Sequence, residues 1–200
     1  MVRAAVLDLG IGNLFSVLAG LRRAGCDAEL ASQPSQLEVS DLVILPGVGS
    51  FEAAASKMEP LRVKLEEQVR DGKLLLGICL GYQLMFERSE EGGGQGLGLF
   101  AGFVRRLPSS VRVPHIGWNA IEIVRWHEIL DGVRDGSRFY FAHSFYPVAE
   151  EKDVCAFTEY GTRIPSVAAK GNVIGFQFHP ERSGEVGARL LSNLVRLART

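Results

Sequence analysis

A cysteine between two glycines directly follows a short apolar run, and this order of residues constrains the fold more than any other part of the chain. The run is Leu74–Leu76, and Cys79 lies in the middle of Gly77–Gly81. The pattern predicts a buried strand that ends here and turns sharply into a helix. Such a turn pushes the thiol out of the backbone, as in the serine form of this elbow. A helix N-terminus also favours the thiolate, which is the nucleophilic form of cysteine.

A histidine and a glutamate stand on either side of a proline far along the chain, in Gln177-Phe178-His179-Pro180-Glu181. In an extended segment, residues i and i+2 point to the same face, so we expect Gln177, His179 and Glu181 to share one. Pro180 biases His179 toward extended geometry. A thiol, an imidazole and a carboxylate are the three parts of an activated-nucleophile site. Cys79, His179 and Glu181 are therefore the candidate catalytic residues.

Each of these residues also has a purely structural interpretation. A lone cysteine is most often a buried core residue, and this is our prediction for Cys26 and Cys155. His179 could be a core histidine, and Glu181 could be a surface acid near a helix start. The glycines around Cys79 and the shared face of His179 and Glu181 favour the catalytic interpretation.

Strand-like and helix-like segments alternate along the first half of the chain, which predicts a parallel sheet covered by helices on both faces. After Gly92 the short apolar runs predict antiparallel strands added at one side of that sheet. We therefore expect an α/β fold in a single domain of residues 1–200, with a central, mostly parallel sheet flanked by helices and a smaller antiparallel β addition. The predicted strands are Val2–Leu7, Ala28–Ala31, Leu42–Leu45, Lys73–Ile78, Phe100–Arg106, Ala120–Val124, Arg138–Ala142, Val154–Tyr160, Ser166–Lys170 and Val173–Phe178. The first predicted helix begins after Asn13 and ends at Gly25. The other predicted helices cover Glu52–Met58, Leu61–Asp71, Gly81–Glu87 and Arg189–Arg199.

Composition excludes several classes of function. The chain is 46% hydrophobic and 22% charged, as ordinary globular proteins are. A net charge of -1 gives no reason to expect nucleic acid or an anionic membrane as partner. No apolar run approaches the ~20 residues needed to span a bilayer. The three cysteines are widely spaced and form no disulfide framework, which favours a reducing, cytoplasmic setting.

Neither a metal nor a cofactor is expected from the motifs. His115, His127 and His143 have no metal-ligand spacing. Gly10 and Gly12 follow the first strand, but Phe15 stands where the third glycine of a dinucleotide fingerprint would be. The sequence therefore points to chemistry carried by side chains alone.

The glycine-rich segment Pro46-Gly47-Val48-Gly49 follows the predicted strand Leu42–Leu45. It could be a simple tight turn. Its alternative role is that of an oxyanion hole, because glycine-rich backbone can present N–H groups to a developing negative charge. Since parallel strands end at the same edge of a sheet, this segment is expected near Cys79. Glycine tolerates positive φ, so Gly47–Gly49 is also expected to change orientation when a partner binds.

With Gly77–Gly81 and His179-Pro180-Glu181, the chain resembles the triad-type (class I) glutamine amidotransferases over essentially all 200 residues. Within that family it is most similar to the glutaminase subunits of imidazole glycerol phosphate synthases. Leu9 and Phe145 depart from this group, which often has tyrosine at both positions. The segments that carry the narrower resemblance are Gly12–Leu14 with Ser16-Val17, Leu45–Phe51, Gly96–Leu99, Pro114–Asn119 and Tyr140–Tyr146.

The resemblance implies a role for each residue of the site, with L-glutamine as substrate and no cofactor. Cys79 would attack the side-chain amide, His179 would move the protons, and Glu181 would orient the imidazole. The implied oxyanion hole consists of backbone N–H groups at Gly47, Val48, Gly49 and Leu80. The implied substrate-binding residues are Gly49, Gln83, Glu91, Ser144 and Phe145.

The resemblance also implies a partner. This is a separate (β/α)₈ barrel synthase subunit, which forms a heterodimer with the glutaminase and receives ammonia for histidine biosynthesis. Trp118 and Asn13 are the expected interface residues, because tryptophan is enriched at interface hot spots. The alternative for Trp118 is a core tryptophan.

Other functions stay open on the sequence alone. The chain could be the glutaminase of another synthase, such as pyridoxal phosphate synthase or anthranilate synthase. The former usually carries a Pro-Gly-Gly-Glu loop where Pro46–Gly49 stands here. A thiol peptidase or a γ-glutamyl hydrolase could use the same scaffold. A non-enzymatic binding module is a further alternative, against which the complete set of Cys79, His179 and Glu181 argues.

Overall fold

The computed structural model describes residues 1–9, 14–47 and 49–199, and within them it contains twelve strands and six α-helices. The strands are β1 (Val2–Leu7), β2 (Cys26–Ala31), β3 (Leu42–Leu45), β4 (Leu74–Ile78), β5 (Gly102–Arg106), β6 (His115–Ala120), β7 (Glu122–Ile123), β8 (Arg138–His143), β9 (Phe145–Ala149), β10 (Val154–Glu159), β11 (Arg163–Lys170) and β12 (Val173–Phe176). The helices are α1 (Leu14–Arg23), α2 (Pro34–Glu38), α3 (Phe51–Met58), α4 (Arg62–Arg70), α5 (Leu80–Gln83) and α6 (Gly184–Leu197).

Eight strands form one sheet in the order β2-β1-β3-β4-β12-β11-β10-β7. The first five are parallel, and the last three continue the sheet antiparallel. Two hydrophobic clusters cover its faces, one beneath α1 and α6 and the other beneath α3, α4 and α5. This architecture confirms the predicted fold class. Two further antiparallel pairs, β5 with β9 and β6 with β8, lie outside the main sheet.

The strand order brings the two motifs to the same edge of the sheet. β4 and β12 are parallel neighbours, with Ile78 opposite Phe176. The backbone N–H of Cys79 donates to the Phe176 carbonyl at 2.7 Å, so the chain leaves both strands at the same level. On its other side β4 pairs with β3, where Gly77 lies opposite Leu45. The thiol, the histidine segment and the glycine-rich segment therefore follow three adjacent strands.

The helix after the elbow is shorter than predicted. Instead of Gly81–Glu87, only Leu80–Gln83 is helical. The segment that follows returns over these residues, and the N–H groups of Leu97 and Leu99 donate to the carbonyls of Leu84 and Met85. Those carbonyls are thus satisfied by a distant part of the chain rather than by the next helical turn.

Two strands and one helix were missing from the predictions. β6 has its partner in β8, and β9 has its partner in β5, so their pairing depends on distant segments rather than on their own pattern. Helix α2 has only five residues. Helix α6 begins at Gly184, five residues before the predicted start at Arg189. Its first turn contains Gly184 and Gly187, which weaken the helical signal of the sequence.

Candidate active site

Cys79 adopts a strained backbone conformation at the tip of the elbow. Its φ of 52° makes it the only non-glycine residue with positive φ among those the structure describes. A Cβ at Gly77 would lie 2.6 Å from the Tyr82 nitrogen, and one at Gly81 would overlap the Leu45 carbonyl. Both flanking glycines are therefore required by close backbone packing. Strained residues of this kind cluster at functional sites.

His179 and Glu181 form a buried, hydrogen-bonded pair. The distance from His179 Nδ1 to Glu181 Oε1 is 2.9 Å, and the two side chains are 5% and 4% exposed. The backbone around them is fixed from β8, because the His179 N–H donates to the Tyr140 carbonyl at 2.9 Å. Ser183 Oγ donates to the His179 carbonyl at 2.6 Å and accepts from the Tyr140 N–H. The surface-acid interpretation of Glu181 is therefore wrong.

The imidazole of His179 lies between Glu181 and the thiol. Burial alone would lower the pKa of His179, but the charge of Cys79 and the hydrogen bond to Glu181 raise this pKa to about 10. In the described part of the chain, Nε2 is buried without a partner of good hydrogen-bond geometry. The arrangement favours a protonated His179, with Nδ1 held by Glu181 and Nε2 available.

Two further groups contact the sulfur. Gln177 Nε2 lies 3.7 Å from Cys79 Sγ, and the thiol lies 3.7 Å from the Ala142 carbonyl. Gln177 received no role in the predictions, although the alternation along its segment placed it on the face of His179. Cys26 and Cys155 are buried away from this site, as predicted.

A cavity of about 200 Å³ opens in front of the thiol. The Glu91 side chain is held in position there, because its Oε2 accepts a hydrogen bond from the Phe51 N–H at 2.7 Å. The structure brings the predicted substrate-binding residues Gly49, Gln83, Glu91, Ser144 and Phe145 together in this lining. The cavity is lined by Gly49, Cys79, Leu80, Gln83, Glu91, Pro114, Ile116, Ala142, His143, Ser144 and Phe145.

Gly47 of the glycine-rich segment lies against the elbow. A Cβ at Gly47 would come within 2.7 Å of Leu80 Cβ and 2.9 Å of the Gly81 nitrogen, so only glycine allows this approach. Gly49 lines the cavity with a φ of 121°. Leu80 begins α5, where N–H groups have no partner within the helix. The predicted oxyanion residue Val48 and the predicted interface residue Asn13 lie outside the described residues.

Trp118 is a surface residue of β6. It is 48% exposed, so the core interpretation is wrong. The Trp118 and Tyr140 rings meet edge-on, with their centroids 6.3 Å apart. The Arg182 guanidinium lies over the Tyr140 ring, 4.1 Å from the ring centroid. Ile116, two residues earlier on the same strand, is 64% exposed. An apolar surface therefore adjoins the cavity.

No group of three or more histidine, cysteine, aspartate or glutamate side chains within the described residues is placed to hold a metal ion. No helix in this part of the chain has the length and apolar character to cross a membrane.

Comparison with known proteins identifies the family. The model of the class-I glutamine amidotransferase family matches residues 5–197. The chain is 44% identical to "Imidazole glycerol phosphate synthase subunit HisH" of Methanosarcina barkeri, over 98% of both chains. It is 45% identical to the protein of the same name from Thermococcus kodakarensis, over 96% of this chain and 99% of that one.

Solved structures show the same fold at lower identity. A "Structure of PurLQS from Thermotoga maritima" superimposes with a TM-score of 0.80 at 21% identity, over 98% of both chains. A "Crystal structure of glutamine amidotransferase" gives 0.78 at 22% identity, over 98% of this chain and 99% of that one. Together with the sequence matches, these findings show that the chain belongs to the class I glutamine amidotransferases and, within them, to the family of imidazole glycerol phosphate synthase HisH subunits.

Proposed function

We propose that the chain is the glutaminase subunit of an imidazole glycerol phosphate synthase, in which Cys79, His179 and Glu181 release ammonia from L-glutamine. The observation that carries the proposal is the buried His179, hydrogen-bonded to Glu181 and adjacent to the strained Cys79 at the base of a cavity. A thiol, a base and an orienting carboxylate in this order form a nucleophilic triad.

The first half of the reaction forms a thioester. The Cys79 thiolate attacks the side-chain amide carbon of glutamine, a C–S bond forms, and the carbonyl electrons move to oxygen. Backbone N–H groups of Leu80 and of the segment Gly47–Gly49 stabilise this oxyanion. The intermediate collapses when the C–N bond breaks. The departing nitrogen takes the proton of the His179 imidazolium and leaves as ammonia.

The second half returns the enzyme to its starting state. A water molecule gives its proton to the now neutral His179 while its oxygen attacks the thioester. Collapse of this second intermediate frees glutamate and leaves the Cys79 thiolate beside the imidazolium. Glu181 keeps the ring oriented through both halves, because its hydrogen bond to Nδ1 leaves Nε2 to exchange the proton.

The cavity supplies groups suited to the glutamine head group. The Glu91 carboxylate is a partner for the α-ammonium, and its bond from the Phe51 N–H fixes its position. Gln83, Gly49 and the backbone of Ser144 and Phe145 complete the substrate site. Each of these residues lines the cavity.

The partner that we propose is a (β/α)₈ barrel synthase subunit in a heterodimer, which accepts the ammonia in a cytoplasmic pathway. The relatives named above are themselves named as subunits. The exposed Ile116 and Trp118 lie on the strand beside the cavity, where a docked partner would be close to the released ammonia.

Three measurements test this function. A glutamine-mimicking electrophile should label Cys79 and spare Cys26 and Cys155, because burial raises the pKa of both of those thiols to about 11. Cys79→Ala should abolish glutamine hydrolysis yet leave the ammonia-dependent activity of the complex with the barrel subunit. Mass spectrometry that finds the label mainly on another cysteine would overturn the assignment of the nucleophile. The proposed partner would be wrong if the barrel subunit failed to stimulate glutamine hydrolysis by the wild-type chain.

A further inference from the structure

We propose that Gln177 is a further catalytic residue, whose side-chain amide donates a hydrogen bond to the Cys79 sulfur and stabilises the thiolate that attacks the substrate. This inference rests on the proposed role of Cys79 as nucleophile. It goes beyond that role because it assigns a side-chain hydrogen-bond donor to the sulfur in addition to the imidazole.

Gln177 is placed for this role by its backbone and by its burial. The residue is completely buried directly after β12, and its N–H donates to the Ser166 carbonyl at 3.0 Å. Its Nε2 is the atom 3.7 Å from Cys79 Sγ, and its Oε1 accepts from Gln83 Nε2 at 3.2 Å. Both ends of the amide therefore have a partner.

The neighbouring hydrogen bonds decide which way the Gln177 amide points. A backbone carbonyl can only accept, so Gln83 must present its NH₂ group to the Phe145 carbonyl, 2.8 Å away. The second hydrogen of that NH₂ group is donated to Gln177, which must therefore accept it with its side-chain oxygen. Gln177 consequently turns its own NH₂ group toward the sulfur. A thiolate is an acceptor, so this orientation supports the anion.

The Phe145 carbonyl that anchors this arrangement also contacts His143, and the His143 ring in turn contacts His115. His143 Nδ1 lies 2.9 Å from the Phe145 oxygen, so this nitrogen carries the proton. His143 Nε2 accepts from His115 Nδ1 at 3.1 Å. Burial lowers the pKa of His115 to about 4 and that of His143 to about 3, so both rings are neutral at pH 7. The His143 ring, which His115 holds, therefore fixes the position of the Phe145 carbonyl.

The network joins the nucleophile to the substrate site. Phe145 and Gln83 both line the cavity, and Gln177 connects them to the sulfur. Without the Gln177 donor, the thiolate keeps the charge of the His179 imidazolium and still faces the Ala142 carbonyl. Because a hydrogen bond to a charged group is among the stronger ones, its removal should be visible in the ionisation of the thiol itself.

The test is the pH dependence of Cys79 alkylation by iodoacetamide, followed by mass spectrometry in the full chain. Gln177→Met removes the donor at similar volume, and Gln177→Glu keeps the shape but presents a carboxylate to the sulfur. Gln68→Met is the matched control, because Gln68 is a buried glutamine of α4 that does not line the cavity. Thermal unfolding is recorded for all three variants. Glutamine kcat and KM are measured in the complex with the barrel subunit.

We expect Gln177→Met to shift the alkylation midpoint to higher pH and to lower kcat at pH 7 roughly tenfold, with KM nearly unchanged. Gln177→Glu should shift the midpoint further, and Gln68→Met should leave it in place. Unchanged midpoints in both Gln177 variants would overturn the proposal, as would unfolding of both while Gln68→Met stays folded. The alkylation result does not depend on glutamine turnover, so an inactive wild-type complex would refute the proposed function without deciding the role of Gln177.

Discussion

At the scale of single residues, the site depends on one strained cysteine and one imidazole whose charge is balanced on two sides. A positive φ at a residue other than glycine costs of order 1–3 kcal/mol, which the surrounding structure has to offset. At Cys79 the contacts of Gly77 and Gly81 with neighbouring backbone offset it, since a larger residue at either position would separate the elbow from β3 or α5. His179 holds its proton because Cys79 and Glu181 both stabilise the cation.

The roles of His179 and Glu181 can be separated by substitution. His179→Ala should lower glutamine turnover by about 10²–10⁴-fold, as the loss of a general acid–base does. Glu181→Gln should have a smaller effect, because the amide oxygen can still accept from Nδ1 and keep the ring oriented. Steady-state glutaminase assays of both variants in the assembled complex measure the difference, with ammonia-dependent activity as the control for intact assembly. An essential Glu181 beside a dispensable His179 would contradict these roles.

At the scale of secondary structure elements, the antiparallel pair β6–β8 supports the site through a buried histidine pair. His115 and His143 are directly opposite each other across the two strands. The His115 ring is stacked between Phe141 and Tyr160, at centroid distances of 4.9 and 3.8 Å. Burial disfavours a charge on either histidine, so protonation of either ring destabilises this part of the fold.

The neutral pair predicts how stability depends on pH. The folded-state pKa values of His115 and His143, about 4 and about 3, lie below the usual 6.5, so the unfolded chain binds more protons as the pH falls below 6.5. The free energy of unfolding should therefore decrease from pH 6.5 to pH 4, by up to about 1.4 kcal/mol per pH unit for each histidine. The raised pKa of His179 affects stability in a higher pH range. The stability it contributes is complete below pH 6.5 and is lost as the pH rises toward 10.

His115→Phe isolates the contribution of one ring. Phenylalanine keeps the stack on Phe141 and Tyr160 but removes one titrating group and one hydrogen bond to His143. Urea unfolding at several pH values should give a lower stability at pH 7, by about 1 kcal/mol, together with a shallower slope between pH 6 and pH 4. A slope equal to that of the wild type would show that His115 is not responsible for the pH dependence.

At the scale of the whole molecule, the two ends of the parallel strands lie beneath different surfaces. The edge that carries Cys79 also carries the exposed Ile116 and Trp118. Trp126 is 68% exposed but lines a cleft with Leu74, at the opposite end of β4. If the barrel subunit docks where ammonia is released, only the first of these tryptophans should matter for assembly.

The two tryptophans therefore form a matched pair. Trp118→Ala should weaken binding of the barrel subunit by at least about 2 kcal/mol, roughly thirtyfold, as hot-spot residues do. Trp126→Ala should bind like the wild type. Isothermal titration calorimetry with the isolated barrel subunit measures both, and circular dichroism checks that both variants are folded. Equal affinities for Trp118→Ala and the wild type would rule out the proposed interface, and the predicted reorientation of Gly47–Gly49 would then need another trigger.

The local geometry of the site can be predicted from short-range patterns in the sequence. Apolar runs and glycines predict β4, the elbow and the extended segment before His179, because burial of alternate residues and backbone clearance are local requirements. The resemblance to a family added the substrate and the partner. These expectations needed no knowledge of which strands are neighbours.

Long-range packing, by contrast, determines which groups of the site come into contact. The pairing of β4 with β12 places Cys79 beside Gln177 and His179, and no pattern within either strand specifies its neighbour. The strands β6 and β9 were missed for the same reason, because their hydrogen bonds come from distant segments. The direction of the Gln177 amide depends on a chain of acceptors that begins at the Phe145 carbonyl. Periodicity encodes whether a residue is buried, whereas strand order and hydrogen-bond partners follow from how the whole chain packs.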